Sequence, residues 1–295
     1  MRIKEISAKS VLHYHDRAFS TNWDINPYRG CAHKCIYCFA QYSHKYLDSN
    51  EFFDDILVKT NVAEALDTDF SKRNWQGCPV NLCGVTDPYQ PIEKQYKLMP
   101  RIIETFIRHK NPMVITTKST LLLRDLDLLA ELNKVAYVNI QISASVIDER
   151  IRSKIEPNAS PTIERLAMLK EITNRGIDTG VLMMPIIPFL TDNIENLDAI
   201  FRFAKNNGAR NIIPAIIHLR GETKKCFYEH IQSLFPDLLQ KITPLFKGAY
   251  VDKNYAEKFQ RNIMQLRKKY NFYNKMNRCS CEVSHKGPQL NLFSK

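Results

Sequence analysis

Short apolar runs alternate along the chain with longer stretches in which apolar positions recur at helical spacing. The short runs predict six strands, namely Asp24–Tyr28, Pro79–Val85, Met113–Thr117, Ala136–Ser143, Asp178–Met184 and Asn211–Ile217. The stretches between them predict helices, namely Ile36–Lys45, Glu93–His109, Leu122–Asn133, Ser160–Arg175 and Asn193–Asn207. Strands that alternate with helices of this length are typical of βαβ units. The pattern therefore predicts an α/β fold, a partial (β/α)6 barrel of the TIM type.

Beyond about residue 220 the strand pattern fades and helical spacing dominates. One helical stripe of the segment 253–270 carries Tyr255, Phe259, Ile263, Leu266 and Tyr270. Between residues 241 and 278, ten Lys and Arg residues accompany only two acidic ones, Asp252 and Glu257. We expect the stripe to pack on the barrel, and the basic side to be either simply solvated or a phosphate-contacting surface. The predicted domains are a barrel over 1–220, a mainly helical basic extension over 221–285 and a tail over 286–295.

The composition of the chain argues against a membrane protein and against a secreted disulfide scaffold. A chain of 295 residues with 44% hydrophobic content can bury a large core. We expect a cytoplasmic protein without a membrane span, because apolar runs stay far below about 20 residues and the N-terminus lacks a signal-peptide core. Eight cysteines are also too sparse for a secreted disulfide scaffold. The net charge of +11 favours a polyanionic partner, nucleic acid first.

Three closely spaced cysteines, Cys31, Cys35 and Cys38, are the strongest chemical signal in the chain. Three thiolates can hold three irons of a [4Fe–4S] cluster and leave the fourth iron open to a small molecule. Zinc is the alternative, with His33 or His44 completing a Cys3His set. Zinc motifs usually come as two paired knuckles, however, and no second C-x2-C follows.

The C-x3-C-x2-C spacing, with Tyr37 before the last cysteine, resembles the signature of the radical S-adenosylmethionine (SAM) superfamily. Further motifs resemble its spore photoproduct lyase-like branch, namely Asn26-Pro-Tyr-Arg-Gly-Cys31, Gly84-Val-Thr-Asp-Pro-Tyr-Gln-Pro-Ile-Glu93, Thr117-Lys-Ser119, Ile142-Ser143, Ile155-Glu-Pro157 and Met184-Pro-Ile-Ile-Pro188. The resemblance implies a [4Fe–4S] cluster and SAM, which together yield a 5′-deoxyadenosyl radical. It also implies that Tyr37 lies near the adenine of SAM, and that a reductant such as flavodoxin or ferredoxin supplies the electron.

Polar residues at predicted strand ends are candidate SAM contacts, because catalytic groups of such barrels gather at the carboxyl ends of the strands. Lys118 can pair with the SAM carboxylate and Ser143 can hydrogen-bond its polar groups, as the resemblance implies. Asp87, beside Thr86, could accept from the SAM amino group, and Glu156 could reach the ribose. Ordinary loop capping is the alternative for each residue.

Two positions depart from the spore photoproduct lyase pattern. That lyase uses a cysteine at the end of the second strand as hydrogen donor, where this chain has Gly84, with Cys83 one residue earlier. A shift of one residue on a strand reverses the side-chain face, so we expect Cys83 to point away. The lyase also has a tyrosine directly after the third cysteine, whereas Phe39 here has no O–H hydrogen. We therefore expect the same initial radical but a different final reaction.

The remaining cysteines allow a second metal site. Cys78, Cys83, Cys279 and Cys281 could together hold zinc or a second cluster. Their spacing matches no auxiliary-cluster pattern, and free cysteines are often small buried hydrophobes.

The tail resembles the bacterial sliding-clamp-binding pentapeptide, Gln-Leu-x-Leu-Phe. The matching residues are Gln289, Leu290, Leu292 and Phe293. Such a tail would tether the protein to DNA and raise its effective concentration there. An apolar terminal peptide that caps its own barrel is the alternative.

Three functions follow from these observations. The first is a radical SAM enzyme that acts on nucleic acid, on a DNA lesion or a modified base. The second is a radical SAM enzyme for a protein side chain or a small metabolite. The third is a non-catalytic DNA-binding protein that holds a metal cluster, for which a barrel would be unnecessary.

Overall fold

The computed structural model describes residues 1–15, 21–46, 51–82 and 84–273. Its central element is a seven-stranded sheet of order β10-β9-β8-β7-β6-β3-β2. These strands are β2 (His13–Tyr14), β3 (Trp23–Ile25), β6 (Val80–Leu82), β7 (Met113–Thr117), β8 (Val138–Ser143), β9 (Asp178–Ile186) and β10 (Asn211–Ile216). Neighbouring strands from β3 to β10 are parallel, and β2 pairs antiparallel with β3 at the edge. The open parallel sheet confirms the predicted partial barrel.

Helices follow the strands and cover one face of the sheet. They are α2 (Glu93–Tyr96), α3 (Leu98–His109), α4 (Leu126–Val135), α5 (Glu149–Ile155), α6 (Thr162–Asn174) and α7 (Ile194–Asn206). The main core lies between this layer and alternate strand residues such as Ile140 and Ile142. The opposite face of the sheet is polar. On that face Gln141, Gly180 and Asn211 lie next to one another in register.

A second, three-stranded sheet lies beside the barrel. Its order is β1 (Arg2–Ile6), β5 (Asp55–Lys59) and β4 (Tyr28–Arg29), and α1 (Val62–Phe70) follows β5. The sequence pattern did not reveal β1, β5 or α1. The predicted first strand is also divided between the two sheets, because β3 belongs to the large sheet and β4 to the small one. This division brings the cysteine loop over the edge of the barrel.

Several predicted helices differ in detail from the structure. The predicted helix Glu93–His109 is broken at Lys97, whose φ of 48° is left-handed. The predicted helix Ile36–Lys45 is a 3-10 helix over Phe39–Tyr46. A 3-10 turn over Thr120–Asp125 precedes α4. The last two differences lie at element ends, where periodicity carries least information, whereas the break at Lys97 lies inside a predicted helix.

The chain beyond residue 220 is helical, as expected. It forms α8 (Gly221–Leu234), α9 (Pro236–Ile242) and α10 (Lys253–Tyr270). Phe259, Ile263 and Leu266 of α10 are buried in the main core, which agrees with the predicted apolar stripe. None of the described helices is long and apolar enough to cross a membrane.

Candidate radical SAM site

The three cysteines lie on the loop that follows β4. Cys31 and Cys35 are buried and Cys38 is partly buried. The loop turns at Gly30, whose φ of +84° is left-handed, and a Cβ there would lie 2.5 Å from the carbonyl oxygen of Asp55. Glycine is therefore required for the chain to pass this close to β5.

Two amide side chains hold the cysteine loop, the buried Gln90 and the more exposed Asn158. Gln90 donates to the Gly30 carbonyl oxygen at 3.2 Å and accepts from the Ala32 N–H at 2.8 Å. Asn158 donates to the Ala32 carbonyl oxygen at 2.8 Å. The sequence analysis did not identify either residue, although Gln90 lies inside the Gly84–Glu93 motif. Both hold the loop in one conformation before any ligand binds.

Asp87 joins the ends of β6 and β7. Its carboxylate accepts from the Thr117 hydroxyl at 2.7 Å, the Tyr89 N–H at 2.9 Å and the Lys118 N–H at 2.8 Å. Thr86 donates to the Gly30 carbonyl oxygen at 2.8 Å. These contacts give both residues a capping role. The predicted contact of Asp87 with the SAM amino group stays a prediction.

The histidines considered for zinc do not complete a metal site with the cysteines. His44 contacts the Asp55 carbonyl oxygen through Nε2 at 2.9 Å, and His33 Nδ1 lies 3.5 Å from the Asp87 carboxylate. Within the described residues, no group of three His, Cys, Asp or Glu side chains is close enough to hold a single metal ion. Among the described residues, this spacing does not favour the zinc alternative. A [4Fe–4S] cluster tolerates a larger separation between the sulfur atoms, because each sulfur binds a different iron.

Burial raises the pKa of each of the three thiols, Cys31, Cys35 and Cys38, to about 12. The cysteines also interact electrostatically with one another, as expected for neighbours. Thiolate ligands in such a site need positive charge, which bound irons provide. The donor set fits the implied cluster.

Tyr37 is fixed by a buried ion pair. Its hydroxyl donates to Glu156, whose carboxylate also pairs with the Arg165 guanidinium at 2.6 Å. Burial alone would raise the pKa of Glu156. The charges of Arg165 and Lys118 and the hydrogen bond from Tyr37 outweigh burial and hold that pKa below its usual value. The predicted contact of Glu156 with the ribose stays a prediction, since its described partners are Tyr37 and Arg165.

Arg165 was not identified from the sequence. It lies on α6 and is fully buried, and it donates to the Ser143 carbonyl oxygen at 2.6 Å and the Thr162 hydroxyl at 2.7 Å. The sequence around an arginine in a predicted amphipathic helix does not indicate whether its side chain is buried. Its position connects α6 to the end of β8 and to the Tyr37 ring.

Lys118 follows β7 and is partly buried. Its main chain is held by Asp87 and by the Ser160 N–H, which donates to the Lys118 carbonyl oxygen at 3.1 Å. Its ammonium lies 5.8 Å from the centre of the Tyr37 ring, and no hydrogen bond or ion pair of this ammonium is found within the described residues. Burial would lower the pKa of Lys118, but the neighbouring acidic groups Cys35, Glu156 and Asp87 raise it. A charged ammonium therefore remains available to a ligand carboxylate.

The structure brings most of the predicted site residues together. The contacts described above connect the cysteine loop with Tyr37, Thr86, Asp87, Lys118 and Glu156, and Arg165 adds the end of β8. Ser143, at the end of β8, donates to the Met184 carbonyl oxygen at 3.3 Å. The tail residues Gln289, Leu290, Leu292 and Phe293 lie outside the described residues, as do Cys83, Cys279 and Cys281. The predictions for the tail and for a second metal site therefore stay predictions.

Comparisons with known proteins agree with this geometry. An uncharacterised protein of Mycobacterium tuberculosis (strain ATCC 25618 / H37Rv) is 35% identical over 272 residues, which cover 90% of this chain and 80% of that protein. A radical SAM Nα-GlyT isomerase of Pseudomonas phage M6 is 22% identical over 248 residues, covering 83% of this chain and 50% of that protein.

Among solved structures, a spore photoproduct lyase variant with bound AdoMet and dinucleoside spore photoproduct has a similar fold, with a TM-score of 0.69 at 13% identity. The match covers 91% of this chain and 79% of the lyase. The family model of the Radical SAM superfamily matches residues 25–204. The chain therefore belongs to the radical SAM superfamily, whose enzymes use a [4Fe–4S] cluster and SAM.

Proposed function

We propose that this radical SAM enzyme acts on nucleic acid, on a DNA lesion or a modified base. The observation that carries the nucleic-acid part is the exposed face of α10. Lys258, Arg261 and Lys268 are exposed there at spacings of three and seven residues, opposite the buried apolar stripe. Such a face suits the phosphates of a nucleic acid backbone. The net charge of +11 and the dinucleoside bound by the structurally similar lyase support the same substrate class.

Each predicted site residue has a proposed role in binding the cofactors. Cys31, Cys35 and Cys38 would hold the cluster, and Lys118 would pair with the SAM carboxylate. Tyr37 would lie against the adenine, kept in place by Glu156. When bound, the cluster and SAM supply a 5′-deoxyadenosyl radical, with the electron from a reductant such as flavodoxin or ferredoxin. Ser143, Thr86 and Asp87 would orient polar groups of SAM.

The final step is proposed to differ from that of the lyase. Phe39 follows the third cysteine and has no O–H hydrogen to transfer. Gly84 occupies the expected position of the hydrogen-donating cysteine and offers no side chain. We accordingly expect slow or no repair of a dinucleotide spore photoproduct. Efficient repair would show that these two departures were misjudged.

The tail is proposed to bind a sliding clamp through Gln289, Leu290, Leu292 and Phe293. A few buried apolar and aromatic side chains dominate the affinity of small interfaces, so we expect Leu292 and Phe293 to contribute most. Binding of the clamp would place the enzyme on DNA without any base-specific contact.

Anaerobic reconstitution and labelling test this proposal. The protein should bind about four irons per chain, and reduction with SAM should release 5′-deoxyadenosine. Cys31→Ala should lose both, whereas Cys226→Ala, at a free cysteine on α8, should lose neither. With deuterium-labelled SAM, we expect deuterium in an oligonucleotide substrate. Transfer into a protein side chain or a metabolite instead would contradict the nucleic-acid part alone, and a stable zinc protein that does not cleave SAM would contradict all of it.

A further inference from the structure

Exposed aromatic rings lie at the same end of the barrel as the cysteines. Phe39, which follows the third cysteine, is 56% exposed, and Phe189, which follows β9, is 49% exposed. Tyr250 is 77% exposed and lies beside the chain leaving β10, where the Leu219 N–H donates to the Ala249 carbonyl oxygen at 2.9 Å. Phe189 follows a carboxyl strand end, Phe39 follows the cysteine loop, and Tyr250 lies beside the segment that leaves β10; substrates of such barrels enter at this end.

The first turn of α8 connects two of these rings. Thr223 donates to the Phe39 carbonyl oxygen at 3.4 Å, and the neighbouring Lys224 donates to the Phe246 carbonyl oxygen at 2.6 Å. The ring of Tyr250 lies 4.5 Å from the ring of His218, centre to centre. α8 therefore contacts both the main chain of Phe39 and the loop that carries Tyr250.

Phe189 has a backbone conformation that is unusual for its residue type. Its φ is +61°, in the left-handed region that bulky residues rarely adopt. The Tyr255 ring packs edge-on against it at 5.4 Å, and the Tyr255 hydroxyl donates to Asp192. A buttressed apolar ring that faces solvent in such a conformation is better explained by a ligand than by folding.

Positive charge accompanies the aromatic rings. Arg220, Lys225, Lys247 and Lys253 are exposed in the same stretch of chain as Tyr250. The nearby Asp252 caps α10 by accepting from the Asn254 and Tyr255 N–H groups. Tyr255, in the first turn of α10, touches Phe189, so the N-terminal end of this helix lies beside the rings. The rings thus lie where a nucleic acid backbone following α10 would reach the barrel.

We propose that Phe39, Phe189 and Tyr250 form an aromatic rim that stacks on unpaired nucleobases and so selects single-stranded or unpaired nucleic acid. The inference rests on the proposed function. Proteins that bind single strands combine a cationic track with aromatic rings on which bases stack. A paired and stacked duplex does not present its base faces, so the rim should discriminate against it.

The experiment uses the reconstituted full chain and fluorescein-labelled oligonucleotides in an anaerobic anisotropy titration. Three probes are compared: a single strand, the same strand in a duplex, and the same strand with abasic residues, which keeps the phosphates without the bases. Phe189→Ala and Tyr250→Ala should each weaken single-strand binding about 5- to 150-fold. Neither should change binding of the abasic strand. Phe189→Trp and Tyr250→Phe, which keep a ring, should restore binding.

Tyr14→Ala is the matched control. Tyr14 is an exposed tyrosine on β2, paired with Trp23 at the opposite end of the barrel, so its loss should not affect any probe. Iron content and thermal midpoint report whether each variant is folded. If an alanine variant does not fold, the comparison is made with Phe189→Trp or Tyr250→Phe instead. Equal affinity for the base-containing and abasic strands would overturn the rim alone. A failure of every oligonucleotide to bind would overturn both the rim and the proposed function.

Discussion

Glu156→Gln removes one charge from a fully buried ion pair with little change in side-chain volume. Glutamine has nearly the same volume, but one of the two accepting oxygens becomes an amide NH2 group, which cannot accept from the Tyr37 hydroxyl or the Arg165 guanidinium. The donor contacts of Arg165 with the Ser143 carbonyl oxygen at 2.6 Å and with Thr162 at 2.7 Å remain available. The substitution therefore removes the charge opposite the guanidinium together with one hydrogen-bond acceptor.

The expected loss of stability is large because the remaining cation stays buried. Removing one partner of a buried pair costs about 3–5 kcal/mol, since the other ion keeps its desolvation cost without its counter-charge. The control is Glu64→Gln, which makes the same chemical change in an exposed pair with Arg101. An exposed pair contributes about 0–1 kcal/mol. Glu156→Gln should thus destabilise the chain by at least about 2 kcal/mol more than Glu64→Gln.

Urea unfolding at neutral pH, followed by far-UV circular dichroism, measures this difference. With a common slope, the shift of the midpoint multiplied by the slope gives the change in unfolding free energy. Adding Arg165→Met to Glu156→Gln should recover part of the loss, because no uncompensated charge is left. If Glu156→Gln and Glu64→Gln unfold within about 1 kcal/mol of each other, the assignment of Glu156 as the counter-charge of Arg165 is wrong.

Four further predictions concern other parts of the chain. Lys118→Ala should weaken SAM binding about ten- to a hundred-fold in equilibrium dialysis without altering the cluster spectrum; unchanged affinity would make Lys118 structural. Gly30→Ala should lower iron content and thermal midpoint, because its Cβ would meet a main-chain oxygen at 2.5 Å; wild-type values would refute this clash. The pKa of Asp69 lies below 3.8 because the Lys72 and main-chain hydrogen bonds outweigh burial, so its stabilisation is present above that pH and lost as the pH falls further. Asp69→Asn should accordingly destabilise the protein at pH 7 and flatten the acid limb of its stability curve; a parallel limb would contradict the assignment. Truncation after Lys286 should abolish clamp binding in a pull-down without changing iron content; unfolding would instead make the tail a structural cap.

The amino-acid pattern alone determined the six parallel strands and the polar residues that follow their carboxyl ends. β7 ends at Thr117 and β8 at Ser143, as the apolar runs predicted, which puts Lys118 and Ser143 at the carboxyl edge of the sheet. The three cysteines were equally accessible to sequence reasoning, because their ligand spacing is local. Alternation, helical period and short motifs involve neighbours in the chain, so they do not depend on how distant segments pack.

The tertiary structure alone decided which polar groups hold the site in place. Tyr37 meets Glu156 across 119 positions of sequence, and Asn158 meets Ala32 across 126. The burial of Arg165 and the exposure of Phe189 were equally hidden. A polar residue has the same local pattern whether it faces solvent or a buried counter-charge. Its partner is set by the packing of whole elements against one another, and that information is spread over the entire chain.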